Sequence, residues 1–190
     1  RNDFGVSGTT ADIIVPKKFL NYLSSHLKDG EVELLLAEDY LAAKVGSDIV
    51  ITRIIDESFP NYETVIPKEN NKRLIVEKNL LLGAIKRVSI FSNKSTHQVA
   101  LSLSSESCKI TTEDPEKSSK AQEKIAATYE GDPIVIGYNA EYLKDVVSHI
   151  DGEDIAIDLS SPVSAALFSS MQSDEKVESI MLLMPIRLND

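Results

Sequence analysis

The chain has no tryptophan, one cysteine, eight glycines and only 6% aromatic residues in 190 positions. A single cysteine, Cys108, excludes an internal disulfide framework and suits a reducing cytoplasm, the expected location. No apolar run approaches the roughly 20 residues that cross a bilayer, so no membrane partner is expected. Catalytic punctuation is missing too. There is no G-x-S-x-G, Walker loop or dinucleotide fingerprint. His26, His97 and His149 have no Cys, His or carboxylate neighbours at metal-ligand spacing. No metal, cofactor or catalytic residue is expected, and the chain does not read as an enzyme. Positive charge is in deficit: 20 Lys and Arg against 30 Asp and Glu give a net charge of −10. Taken alone, that total argues against a nucleic-acid partner.

What is present is a repeat within a chain of ordinary globular composition, 42% hydrophobic. After a loop-like opening, "RNDFGVSGTT", residues Ile13, Ile14 and Val15 predict a short strand. Pro16 then suits the first position of a helix. Phe19, Leu20, Leu23 and Leu27 fall on one face of that helix, and Gly30 stops it. Three strand-like runs follow, "VELLLAED", "YLAAKVG" and "DIVITRIID". The same order returns from Leu74: a strand, a helix striped by Leu81, Ala84, Ile85 and Val88, then "HQVALSLSSE", "SCKITTE" and "EKIAATYEG". The intervening "TTEDPEKSSKAQEK" alternates acids and lysines and reads as a solvated loop. A third copy begins at "DPIVIGYNAEYLKDVVSHIDGED". Asn139 is its helix N-cap, with Tyr142, Leu143, Val146, Val147 and Ile150 as the apolar stripe and Gly152 as the stop. The strands "IAIDLSS", "VSAALFSS" and "SIMLLMP" close it.

Three copies of one element order predict duplication, each helix lying on a sheet. Two copies would share a core over roughly 72–190, leaving one unpaired copy over roughly 11–58. The expectation is therefore a fragment of a longer protein, with "ESFPNYETVIPKENNK" as a linker.

The charge is uneven. Lys17, Lys18 and Lys28 give the first helix +3, Lys78, Lys86 and Arg87 give the second +3, and Glu141, Lys144 and Asp145 leave the third at −1. Lysines commonly occupy exposed helix faces. The alternative is a positive face that attracts phosphates without reading bases. The apolar ending "SIMLLMPIRLND" is likewise open to two readings, a strand filling its own core or a groove for peptide anchors with Arg187 at its rim.

The repeat, the linker "DESFPNYETVIP" and the ending "MLLMPIRL" resemble the bacterial DNA polymerase III beta subunit, the replication sliding clamp, over the whole chain after its first ten residues. The resemblance implies an α+β DNA-clamp fold, repeated strand-helix-three-strand units with helices packed on one face of antiparallel sheets. Residues 1–66 would be the second half of the middle domain plus linker, and 67–190 the C-terminal domain. It implies a non-catalytic processivity factor that encircles duplex DNA without sequence preference in the intact ring. Partners would be the DNA polymerase III alpha subunit, the clamp loader and repair polymerases, through short linear peptides, with head-to-tail homodimerisation at full length.

The implied peptide pocket comprises Pro60, Thr64 and Val65 from the linker, and Asn139 and Tyr142 from the third helix. Val163 and Ala165 would come from the penultimate strand, and Leu182, Leu183, Met184, Pro185, Ile186 and Arg187 from the tail. Lys17, Lys18, Lys86, Arg87 and Lys144 would face DNA, and Ile90 and Phe91 would mark the dimer contact. Thr64 stands where the family often has a basic residue, and Thr96 where an aromatic is common. The competing reading is a repeat-built interaction scaffold with no DNA contact.

Overall fold

The computed structural model describes residues 12–27, 32–172 and 179–188. The expected opening loop, the Lys28 charge, the stop at Gly30 and the last two residues lie outside them. The chain divides between Asn61 and Tyr62 into two compact units.

In the first unit Pro16 sits at the N-cap of helix α1 (Lys17–His26), one position earlier than expected, and its carbonyl accepts from the amides of Phe19 and Leu20. Phe19 and Leu23 are buried, whereas Leu20 and Leu27 are exposed, so the apolar stripe is half as wide as the spacing predicts. The helix packs its buried pair with Leu41 and Ala43 of a three-stranded antiparallel sheet, β1 (Val32–Leu36), β2 (Tyr40–Val45) and β3 (Asp48–Arg53). Gly46, at φ +61°, supplies the left-handed turn between β2 and β3. The strand expected at Ile13–Val15 reduces to one bridge, Ile14 to Ile55. Three residues preceding a proline give too short a ladder to propagate.

The second unit opens with a 3-10 turn, Tyr62–Thr64, and holds two frames, each a strand and a helix followed by further strands. The first runs β4 (Lys72–Glu77), α2 (Lys78–Ser89), β5 (Gln98–Ser104), β6 (Ser107–Asp114), β7 (Ser119–Ala126) and β8 (Thr128–Glu130). The second runs β9 (Ile134–Asn139), α3 (Ala140–His149), β10 (Asp154–Leu159), β11 (Ala166–Ser170) and β12 (Ile180–Leu183). Each frame gives its opening strand to the other's sheet: the orders are β7-β6-β5-β9 and β12-β11-β10-β4-β8. Every pairing is antiparallel.

Strand alternation builds the core. Val99, Leu101 and Leu103 of β5 point inward while Ala100 and Ser102 point out, and Ile155, Ile157 and Leu159 of β10 point inward likewise. Leu81, Ala84, Ile85 and Val88 of α2 meet Leu143, Val147 and Ile150 of the third helix segment in the same cluster. The two helices pack side by side, which closes one core over both sheets. Cys108 is wholly buried there, not half-buried as a strand position would suggest, and burial pushes its thiol pKa up to about 12. It is a packing residue.

Two sequence expectations fail here. The run "TTEDPEKSSKAQEK" is no loop: β6 and β7 pair residue by residue from Ser107–Ala126 to Asp114–Ser119 around a 3-10 turn at Pro115–Lys117. Its charges stand on the outward side of a hairpin, and Asp114 is buried at its tip. "EKIAATYEG" is two strands rather than one. The chain leaves one sheet after Ala126 and joins the other at Thr128, where β8 pairs with β4.

Candidate functional site

The last residues do two different jobs. In β12, Met181 and Leu183 pack against the core, whereas Leu182 is half-buried and Met184, just past the strand, is exposed. Leu183 is thus explained by core filling. Pro185 ends the strand because its ring nitrogen cannot continue the ladder. The chain then crosses to the other sheet: the amide of Ile186 donates to the carbonyl of Gly137 in β9 at 2.8 Å. This is the free edge of β9, whose other edge pairs with β5.

Beside that crossing lies a depression of about 390 Å³ lined by Val135, Gly137, Pro162, Val163, Ile186, Arg187 and Leu188. Val135 and Val163 are 48% and 58% exposed, an unusual state for two valines that face one hollow. Arg187, exposed, puts a guanidinium at the margin of an otherwise apolar surface.

Of the expected pocket residues, Val163, Ile186 and Arg187 come together in this depression. Val163 and Ala165 precede β11 rather than belonging to it. Val163 lies in a turn held by the Ser161 hydroxyl, which accepts from the amides of Val163 and Ser164. Ala165 is buried, its carbonyl accepting from Asn70. Asn139 caps α3, its side-chain oxygen accepting from the amides of Glu141 at 2.9 Å and Tyr142 at 3.4 Å. Its amide nitrogen donates to the carbonyl of Thr96. Tyr142 is 65% exposed, so it does not belong to the buried stripe of α3. Thr64 and Val65 are exposed around the 3-10 turn and Pro60 is exposed in the first unit, none of them lining the depression.

Sequence reasoning missed Val135, Gly137, Pro162 and Leu188. A signal existed for one of them: a glycine in the middle of "PIVIGYN" marks a strand position that something approaches closely.

The expected DNA-facing cations are partly committed within the chain. Arg87 of α2 makes a two-pronged contact with Glu123 of β7, at 2.6 and 3.0 Å, and holds that carboxyl below its ordinary pKa. Lys144 reaches Glu141 at 2.7 Å, one turn back on α3, with the same effect on Glu141. Lys86, Lys17 and Lys18 are exposed. Ile90 and Phe91, just past α2, are 77% and 46% exposed, so they are not core residues. The loop that carries them is tied down. Ser119 donates to the Phe91 carbonyl, and Asn93 donates to the buried Asp114 while accepting from the amides of Ser95 and Thr96. Among the described residues no three of His, Cys, Asp and Glu gather as metal ligands would, and no helix is long and apolar enough to cross a membrane.

The family model described as DNA polymerase III beta subunit, C-terminal domain, matches residues 63–187. The beta sliding clamp of Pseudomonas putida is 33% identical over 178 residues, covering 93% of this chain and 47% of the relative. That of Escherichia coli K12 is 31% identical over 186 residues, covering 97% and 50%. The crystal structure of the sliding clamp from Bartonella birtlesii bound to griselimycin matches with a TM-score of 0.85 at 31% identity, over 93% of this chain and 47% of that one. This chain spans about half the length of the curated relatives it matches. With a family model matched over well more than half its residues and antiparallel sheets carrying helices on one side, the chain belongs to the DNA polymerase III beta subunit family, the beta sliding clamps.

Proposed function

We propose that the chain contributes to a non-enzymatic replication clamp whose 62–188 unit docks short linear peptides in the depression beside the tail. The observation that carries this reading is the pair of exposed valines, Val135 and Val163, facing the Ile186–Leu188 tail with Arg187 at the rim. Apolar hollows with one charged margin hold peptide anchors and orient their chain. The occupants would be apolar-ended peptides of the DNA polymerase III alpha subunit, the clamp loader and repair polymerases. Tyr142 and Met184, both exposed, would extend the contact, and Pro60, Thr64, Val65, Asn139, Ala165, Leu182 and Pro185 would support it.

In the same reading residues 1–66 are half of a middle domain and 67–190 a C-terminal domain. Ile90 and Phe91, apolar and exposed on an anchored loop, would meet a second copy head to tail. Duplex DNA would pass the helices, held by phosphate contacts alone. The location would be the cytoplasm.

The test is a titration of the 190-residue chain with a short peptide carrying a glutamine and a Leu-Phe end, followed by NMR. Resonances of Tyr142, Met184 and Arg187 are expected to shift on binding. A folded chain whose resonances stay unmoved at saturating peptide overturns the docking assignment.

A second reading, a protein-interaction scaffold without DNA contact, draws on the internal pairing of Arg87 and Lys144. Retention of duplex DNA at low salt, lost steeply as salt rises, would exclude it.

A further inference from the structure

The two frames of the second unit open alike, a strand running straight into a helix and paired with the other frame's sheet, and one position breaks the match. Both opening strands run directly into a helix N-cap, Glu77 for β4 and Asn139 for β9. Two residues before each cap stand Ile75 and Gly137. Ile75 lies between Ala156 of β10 and Thr128 of β8. Gly137 lies between Ala100 of β5 and Ile186 of the tail. The inner neighbour is alanine in both frames, and the outer neighbour is the segment that has just left the other sheet. Ile75 and Gly137 are therefore the same position, seen twice.

The outer segments behave differently. In the first frame β8 runs level with β4 and pairs at Arg73, Leu74 and Ile75, leaving room for an isoleucine side chain. In the second the tail meets β9 in a single bridge and comes over its face. A β-carbon on Gly137 would lie 2.7 Å from the Ile186 carbonyl oxygen and 2.6 and 2.9 Å from Cδ2 and Cγ of Leu188. The leucine side chain could swing aside. The carbonyl is main chain, and moving it moves the tail. Glycine in a strand interior weakens the strand by itself, so its presence where the sister frame has isoleucine calls for a use.

Three of the seven residues lining the depression, Ile186, Arg187 and Leu188, are placed by this crossing. We infer that Gly137 is a positioning residue for peptide docking: it seats the tail against β9 and so raises the tail-side wall of the depression. The inference rests on the docking reading above. It concerns how the wall is held rather than which group touches the peptide first.

The experiment compares Gly137→Ala, Gly137→Ile, Ile75→Gly and a chain truncated after Pro185, each checked for folding by far-ultraviolet circular dichroism. Two quantities are read: affinity for the same Gln and Leu-Phe peptide, and hydrogen exchange of the Ile186 amide, which needs no peptide. Gly137→Ala is expected to speed Ile186 exchange and weaken the peptide by about tenfold or more, since a wall of apolar contact is lost. Gly137→Ile, which copies the sister frame, is expected to do the same or worse, and Ile75→Gly to leave affinity unchanged. Gly137→Ala added to the truncated chain is expected to cost nothing further.

If truncation leaves affinity intact, the docking reading itself fails. If truncation abolishes binding while Gly137→Ala binds like the parent with Ile186 still protected, only the role of Gly137 fails. Loss of affinity with Ile186 exchange unaltered also overturns it, because the seat would then be intact. Should Gly137→Ile not fold, the alanine variant decides alone.

Discussion

Asp114 is the residue that sequence composition disguises most. It sits in a run of acids and lysines, yet it is 1% exposed at the tip of the β6–β7 hairpin. Burial works to raise its pKa, but the amide of Asn93 at 3.3 Å and the ammonium of Lys117 at 3.4 Å outweigh it, and the net shift is downward. Lys117 lies 3.4 Å from Oδ2, and its positive charge adds to the lowering. A carboxylate whose folded pKa is depressed stabilises the fold fully above its unfolded value of about 3.9, and loses that contribution as pH falls through the lower folded value. Asp114→Asn should therefore lower the melting temperature at neutral pH by a few degrees. The parent and variant curves should converge only once the pH has fallen below that depressed folded value, where both side chains are neutral. A variant equally displaced at every pH would show that shape alone, and no charge, matters here. Glu123 and Glu141 are also shifted downward, by Arg87 and Lys144, but these pairs are open to solvent and contribute little.

At the scale of elements, Asn139 was legible and the sheet crossings were not. An asparagine before an amphipathic run is a local signal, because its side chain satisfies amides only two and three residues on. Strand alternation in "VALSLS" and the α2 stripe were legible for the same reason: each is written within one element. The break after Ala126 has no glycine or proline to announce it, and which sheet β8 joins depends on β4, some fifty residues earlier. Likewise Leu20 and Leu27 satisfy a helical period but find only a small sheet beneath them. Of the candidate depression, the tail half was legible as an apolar ending broken by proline. Its Val135 and Pro162 side comes from strand β9 and from the turn before β11, remote in sequence and brought near by folding.

The cap of α3 also does more than end a helix. Asn139 donates to Thr96 and so joins α3 to the segment just before β5. Asn139→Ala is expected to cost about 1 kcal/mol in urea unfolding, the usual worth of such a cap. Faster exchange at Glu141 and Tyr142 should accompany the loss, and unaltered exchange there would place the cost elsewhere.

Over the whole molecule, buried apolar residues are distributed unequally. Among the described residues the second unit gathers twenty-five into one cluster, and the first unit gathers four, Phe19, Leu23, Leu41 and Ala43, into a separate one. The first unit also leaves Leu34, Leu35, Leu36, Ile49 and Ile51 between 46% and 64% exposed. Fixing a residue's backbone costs about 1–2 kcal/mol, so an element with few buried side chains has little to set against that cost. Local stability follows local burial, which makes the first unit the one that opens first. Native-state hydrogen exchange should show amides of β2 and β3 opening at lower denaturant than those of β5, β6 and β10. Urea unfolding followed by circular dichroism should then depart from a single two-state curve, with the smaller change coming first. The large unit, closed by two helices over both sheets, should keep its own midpoint when residues 12–61 are already exchanging freely. A single transition with uniform protection across both units would mean that the four-residue cluster is stabilised by more than its own burial, and would refute this ordering.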